Sequence, residues 1–345
     1  LREIPFFAGG ARQLRAPAID VPRDLIAAPA RPFELVSTQA AFGRILEGIA
    51  KSDTALADRI VTASPDVTVS TNLGPWVNRR DLFSRVEVQD LFKAHGIPST
   101  QKWSGTLGGQ HIELGIAEMN LFLLLGAAGL AHSLFGTRLI PIGTLYDPFI
   151  MRGLDALNYA CYQDARFILA GSPSGVSLAG EGGAHQSIST PLIGMGQDGL
   201  EAFEPAFADE LAVIFEWALE FMQRDGAGAG GAVYLRLSTR QIEQPARRAN
   251  SAFASEVIAG ATWLREPGPN AELVIAYQGT VATEAIAAAG LLAFIFAWNN
   301  FIFALVLASA DKQPVTVGAL AFVTSSGIQY GQIAAAIVLS VTPTL

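Results

Sequence analysis

Gln110 to Leu125 reads Q-H-I-E-L-G-I-A-E-M-N-L-F-L-L-L, and it places Glu118 at the head of a helix that is otherwise almost wholly apolar. Ile116, Met119, Leu123 and Gly126 lie on one side, while Phe122 and Leu124 fill much of the rest. A helix that is apolar on nearly every face is expected to be buried. A buried carboxylate loses hydration and tends to hold its proton unless a partner group needs the charge. The plainer alternative is a first-turn glutamate that is favoured by the helix dipole and still wet.

Outward from this stretch the chain alternates helix and strand. Ser37-Thr38 opens a helix through Ala50, with Phe42, Ile45, Leu46 and Ile49 on its apolar face, and Arg59 to Ala63 follows as a short strand. Asn78 to Ser104 is polar and reads as irregular surface excursions. Strands are expected at 138–144, 166–171 and 233–238, and helices at about 116–133, 148–163 and 208–223. Such alternation predicts an α/β fold, a parallel sheet with helices on both faces. Ligands in such sheets gather at the carboxyl ends of the strands.

Three further segments fall where those strands end. S-P-D-V-T-V-S-T-N (64–72) carries Asp66, although a loop Asp is usually a turn or cap residue. T-L-Y-D-P-F-I-M-R (144–152) carries Tyr146 and Phe149, rings that can wall a flat ligand or simply fill a core. L-A-G-E-G-G-A-H-Q-S-I (178–188) sets His185 after glycines that allow close approach of a ligand. An imidazole titrates near neutrality and can move protons, but a lone histidine is more often structural.

Together with G-I-A-E-M-N (115–120), these segments resemble, in order, the pyrimidine-binding domain of thiamine-diphosphate enzymes. The likeness is to transketolase and to the E1 component of 2-oxo-acid dehydrogenases, above all the homodimeric pyruvate dehydrogenase E1 type, over about residues 1–290. The resemblance implies that Glu118 hydrogen-bonds a ring nitrogen of the aminopyrimidine and activates the cofactor. It implies that Tyr146 and Phe149 stack on the pyrimidine, that Asp66 lies near it, and that His185 assists at a 2-oxo acid such as pyruvate. In the family the diphosphate and its Mg²⁺ are held by a different domain through a G-D-G motif followed by an Asn-containing segment, which this chain lacks. A dimer or partner chain is therefore expected to supply that domain.

Composition narrows the alternatives. The 345 residues carry a net charge of −8, which argues against nucleic-acid binding. The single cysteine, Cys161, excludes a disulfide framework or a Cys-based zinc site, and a cytoplasmic home for residues 1–285 fits it. No basic and apolar leader opens the chain, which starts at Leu1 and reads as the middle of a longer protein. Gly194–Gly199 formally fits a dinucleotide fingerprint but follows no proper strand. His111 and Glu113 could suggest a metal pair, but no third ligand lies near in sequence.

The expected domain plan is an arm over 1–35, the pyrimidine-binding unit over 36–245, the start of a truncated transketolase C-terminal-like domain over 246–289, and an apolar tail over 290–345. A strand at Glu272–Tyr277 and a helix from Thr280 would open the third of these. Past Glu284 the only charged residues are Asp311 and Lys312. The run from Gly290 is long and apolar enough to suggest a membrane span. Residues 286–345 resemble the last spans of carbohydrate ABC-transporter permeases, which implies membrane insertion and leaves a transport component, or an inactive chimeric fragment, as alternatives. The other reading of 286–310 is a core helix of the second α/β unit.

Overall fold

Short runs rich in Ile, Val, Ala and Leu alternate with helices whose apolar residues recur at three- and four-residue spacing, and the chain folds accordingly. The computed structural model describes residues 16–26, 29–86, 94–99, 101–225, 229–247, 250–307, 323–324 and 327–328, with side chains described up to 295 except that of 179. The chain forms two compact units, one of residues up to Glu266 with Gln278–Thr280, the other of Pro267–Tyr277 and residues from Val281 onward.

In the first unit the elements run β1 (Leu35–Val36), α1 (Thr38–Ala50), α2 (Ala55–Arg59), β2 (Ile60–Ser64), α3 (Gly74–Arg80), β3 (Leu82–Phe83), β4 (Gly105–Thr106) and β5 (His111–Glu113). They continue as α4 (Glu118–Gly129), α5 (Ala131–Leu134), β6 (Ile140–Tyr146), a 3-10 segment (Asp147–Gly153), α6 (Leu154–Tyr162) and β7 (Ile168–Ser172). The unit closes with α7 (Pro191–Gly196), β8 (Leu200–Phe203), α8 (Ala208–Phe221), β9 (Ala232–Arg236), β10 (Ile242–Glu243) and α9 (Ser251–Ile258). Eight strands form one sheet in the order β4-β3-β5-β2-β6-β7-β9-β8. Every pairing in that sheet is parallel, while β1 and β10 pair antiparallel apart from it.

Each face of the sheet is covered by helices, as a parallel sheet requires. On one face Phe42, Ile45 and Leu46 of α1, Trp76 of α3 and Leu211 and Phe215 of α8 pack on Ile60, Ile142 and Val233. On the other, Leu121, Phe122 and Leu125 of α4 and Leu157 of α6 pack on Ala63, Leu145, Leu169 and Tyr234. Each fully buried large side chain contributes roughly 1.5–3 kcal/mol. Ser37 caps α1 as the sequence predicts, accepting a hydrogen bond from the Ala40 amide.

Several expectations are corrected. The polar run 78–104 contains the end of α3 and β3, and β4 follows it directly at Gly105; their hydrogen bonds to neighbouring strands outweigh weak local patterning. Past Gln241, where 241–269 reads from its Pro, Arg and Ala residues as a connector, stands α9, capped by the Asn250 side chain. α4 is not buried all round: Met119 is 40% and Leu123 59% exposed, because among the described residues no element of the unit covers that side.

In the second unit the expected strand 272–277 does not form, and Leu273 and Val274 stand exposed. A lone strand has no neighbour to accept its backbone hydrogen bonds. A helix, α10 (Ala282–Leu307), follows close to the expected start, and Val323–Thr324 pairs antiparallel with Gly327–Ile328. Among the described residues no helix is long and apolar enough to cross a membrane. The expected span from Gly290 therefore gains no support; the described side chains of α10 are those of its first half, where Thr283 and Glu284 stand. The second apolar stretch of the tail, 331–345, lies outside the described residues.

Candidate functional site

The carboxyl ends of β2, β5, β6 and β7 carry every residue singled out from the sequence. Glu118 opens α4 just after β5, and Gly115 makes the turn between them in a left-handed conformation at φ +63°. The Glu118 side chain is 8% exposed and does not stand alone: Arg152, 52% exposed, donates to its Oε1 at 2.9 Å. The same guanidinium lies 4.0 Å from the centroid of the Phe149 ring. A charge pair this close to the surface removes the cost of an isolated buried carboxylate.

Tyr146 ends β6, and Phe149 follows in the 3-10 segment. His185 arrives from the loop after β7 and packs edge-on against both rings, at 5.1 Å from Tyr146 and 5.6 Å from Phe149. The two rings meet each other at 6.2 Å. His185 Nδ1 donates to the Glu181 carbonyl at 3.1 Å, and Nε2 lies 3.9 Å from the carboxylate of the same residue. Within the Gly-rich loop, Gly182 takes a left-handed φ of +83°.

Four of the five residues thus form one connected group, Glu118–Arg152–Phe149–Tyr146–His185, with Arg152 as the member that sequence reasoning missed. Its signal was faint, a cation three residues after an aromatic. Asp66 does not join them: its side chain is exposed, its φ is +65°, and its backbone amide donates to Glu113 Oε1 at 2.7 Å. It makes the turn after β2, the ordinary role for a loop aspartate.

Two polar networks flank the group. His111, buried on β5, holds Thr62 at 2.9 Å through Nδ1 and Thr68 at 2.9 Å through Nε2, and Thr68 donates to Glu113 at 2.7 Å. Burial pushes the Glu113 carboxyl up, but His111, Thr68 and the Asp66 amide outweigh it and hold it at about 2. His111 and Glu113 are therefore tied to hydroxyls rather than to a metal, and among the described residues no group of three or more His, Cys, Asp or Glu side chains could hold an ion. The second network centres on Asp147, which accepts from Tyr234, Ser187, Thr190 and Arg236. Arg236 also pairs with Glu204, whose carboxyl is raised by burial against the pull of that arginine.

The comparisons bear on what this arrangement is. The family model of the pyruvate dehydrogenase E1 component middle domain matches residues 30–245. The chain belongs to that family. This E1 middle-domain chain is 27% identical over 196 residues to the pyruvate dehydrogenase E1 component of Corynebacterium glutamicum, covering 56% of the chain and 21% of the relative. It is 25% identical over 291 residues to that of Cupriavidus necator, covering 82% and 32% respectively. It is 27% identical over 197 residues to a 6-deoxy-6-sulfo-D-fructose transketolase subunit of a Clostridium species, covering 56% of the chain and 55% of the subunit. Among solved structures, transketolase from Leishmania mexicana superposes with a TM-score of 0.61 at 20% identity, over 79% of this chain and 35% of its own; this likeness speaks for the fold. The E1 middle-domain chain thus spans between about a fifth and a third of the two pyruvate dehydrogenase relatives, at 21% and 32%.

Proposed function

We propose that this chain is the pyrimidine-binding half of a thiamine-diphosphate-dependent enzyme acting on a 2-oxo acid such as pyruvate, and that a partner polypeptide or second copy supplies the diphosphate- and Mg²⁺-binding domain. The observation that carries the proposal is the carboxylate of Glu118 at the head of α4, joined through Arg152 to the Phe149–Tyr146–His185 rings.

The residues fit the cofactor's pyrimidine. The Arg152 guanidinium is flat and bears N–H groups, and it rests against Phe149 while donating to Glu118. An aminopyrimidine offers the same combination of a flat face and ring nitrogens, so the chain's own arginine outlines the kind of group this place accepts. Tyr146 and Phe149 would hold that ring by stacking. Glu118 would hold a proton at a ring nitrogen, and Arg152 would swing toward solvent, where half of it already lies. His185 would take or return a proton at the substrate. When bound, the cofactor supplies the nucleophilic carbon that attacks the 2-oxo group.

Among the described residues no group of three or more His, Cys, Asp or Glu side chains stands ready for the metal. The exposed apolar side of α4, Met119 and Leu123, with Ile116 just before it, supports a covering partner. So does the relative that is itself named a subunit. Residues 36–245 are read as the pyrimidine-binding unit. The test is calorimetric titration of thiamine diphosphate and Mg²⁺ into the full chain, with and without a diphosphate-binding domain from a pyruvate dehydrogenase E1. Binding that requires the added domain supports the proposal, and absence of binding with the domain present overturns it.

A further inference from the structure

Asp147 is fully buried, stands next to Tyr146 and two residues before Phe149, and takes no part in the chemistry proposed above. Its carboxylate accepts hydrogen bonds from groups on two different segments at the sheet's carboxyl edge. Tyr234 and Arg236 reach it from β9, and Thr190, at 2.5 Å, and Ser187 reach it from the stretch that carries His185. Arg236 adds a bond from its Nη2 to the Ser187 carbonyl at 3.1 Å. Beneath it Gly171 of β7 leaves the room it needs: a Cβ there would meet Asp147 Oδ1 at 2.1 Å.

The His185 loop has other ties, within its own excursion and to the residues just after β9, where the Ser174 amide donates to the Leu237 carbonyl at 2.7 Å and the Ser177 and Thr239 hydroxyls meet at 3.0 Å. Gly175 and Ser187 exchange backbone hydrogen bonds at 2.9 and 3.1 Å, and Gln186 donates to the carbonyls of Leu178 and Gly182. Among the described hydrogen bonds, those that join this loop to the Tyr146–Phe149 segment end on Asp147. A carboxylate accepts several donors at once, which an amide or an apolar side chain of that size cannot do.

We infer that Asp147 is a positioning residue, which through Ser187 and Thr190 fixes the His185 imidazole against the Tyr146 and Phe149 rings. Its value for catalysis rests on the function proposed above, but the placement itself is read without any cofactor. The experiment is NMR of the full chain labelled with ¹³C at its histidine rings, with His185→Ala identifying the signal. Packed against two aromatic rings, the His185 ring protons should be displaced from the position of a free imidazole. Asp147→Asn puts an N–H where donors converge, and the His185 signal should return to the free-imidazole position. Ser187→Ala cuts one tether while leaving Asp147 with Thr190, Tyr234 and Arg236; it should move the same signal the same way with the melting curve retained. A role confined to stability would lower the melting temperature without moving His185. An unshifted His185 signal in folded Ser187→Ala and Asp147→Asn, or a free-imidazole position already in the native chain, overturns the inference. If Asp147→Asn does not fold, Ser187→Ala decides alone.

Discussion

At the scale of single residues, the candidate site depends on charges held at the ends of strands. Glu118 and Arg152 make one such pair, and because Arg152 is 52% exposed the pair adds little to stability. Glu118→Ala is accordingly predicted to change folding stability by less than about 1 kcal/mol. Cofactor-dependent turnover, measured after the missing domain is supplied, should fall by roughly 10²–10⁴ if Glu118 is the proton-holding group. Glu113 behaves oppositely. Its carboxyl sits at about 2 in the fold against an ordinary 4.5, so the fold favours the ionised form. The stabilisation is present above about 4.5 and is lost as pH falls toward 2. Melting curves should therefore drop more steeply below 4.5 in the native chain than in Glu113→Gln, and parallel curves would contradict this. Of the candidate site, the rings and the side chains of Glu118 and His185 were legible as residues in the sequence. Arg152 and Asp147 were not, because an arginine after an aromatic and an aspartate before a proline carry no signal of their own. Their roles exist only once distant segments meet.

At the scale of elements, the strands that were readable are those buried on both faces. Ile60–Ser64, Ile140–Tyr146, Ile168–Ser172 and Ala232–Arg236 are near-continuous apolar runs, and their positions fell within a residue or two of expectation. His111–Glu113 and Leu200–Phe203 escaped because three or four residues with polar members carry no period, and neighbours at Thr62 and Ala232 define them instead. The 3-10 segment Asp147–Gly153 depends on similar close packing: a Cβ on Gly153 would come within 2.1 Å of the Phe122 ring, which is fully buried. Gly153→Ala is predicted to cost about 1–3 kcal/mol by overpacking. Chemical denaturation would show this as a lower midpoint at unchanged slope, and an unchanged midpoint would mean that Phe122 moves aside freely.

At the scale of the whole molecule, the proposal is that the chain holds one edge of a larger site. Residues 30–245 match a family whose relatives are several times longer, as the 21% and 32% coverage of two of them shows. The proposal was open to the sequence because segments that resemble one half of such a site are present and the G-D-G motif of the other is not. The exposed flank of α4 was not legible, since an apolar pattern reports what should be covered and not whether this chain covers it. A mixture of the chain with a diphosphate-binding domain is predicted to elute as a complex when thiamine diphosphate and Mg²⁺ are present, and separate elution under those conditions would argue against a shared site.

The central claim is that Glu118 activates the cofactor at this edge. Its most direct test is the rate at which the thiazolium C2 proton of thiamine diphosphate exchanges with deuterated water, read by NMR on the chain together with the diphosphate-binding domain and Mg²⁺. Exchange that is at least about 10²-fold faster with the native chain than with Glu118→Gln is the predicted result. Equal rates, with both forms binding the cofactor, would contradict it.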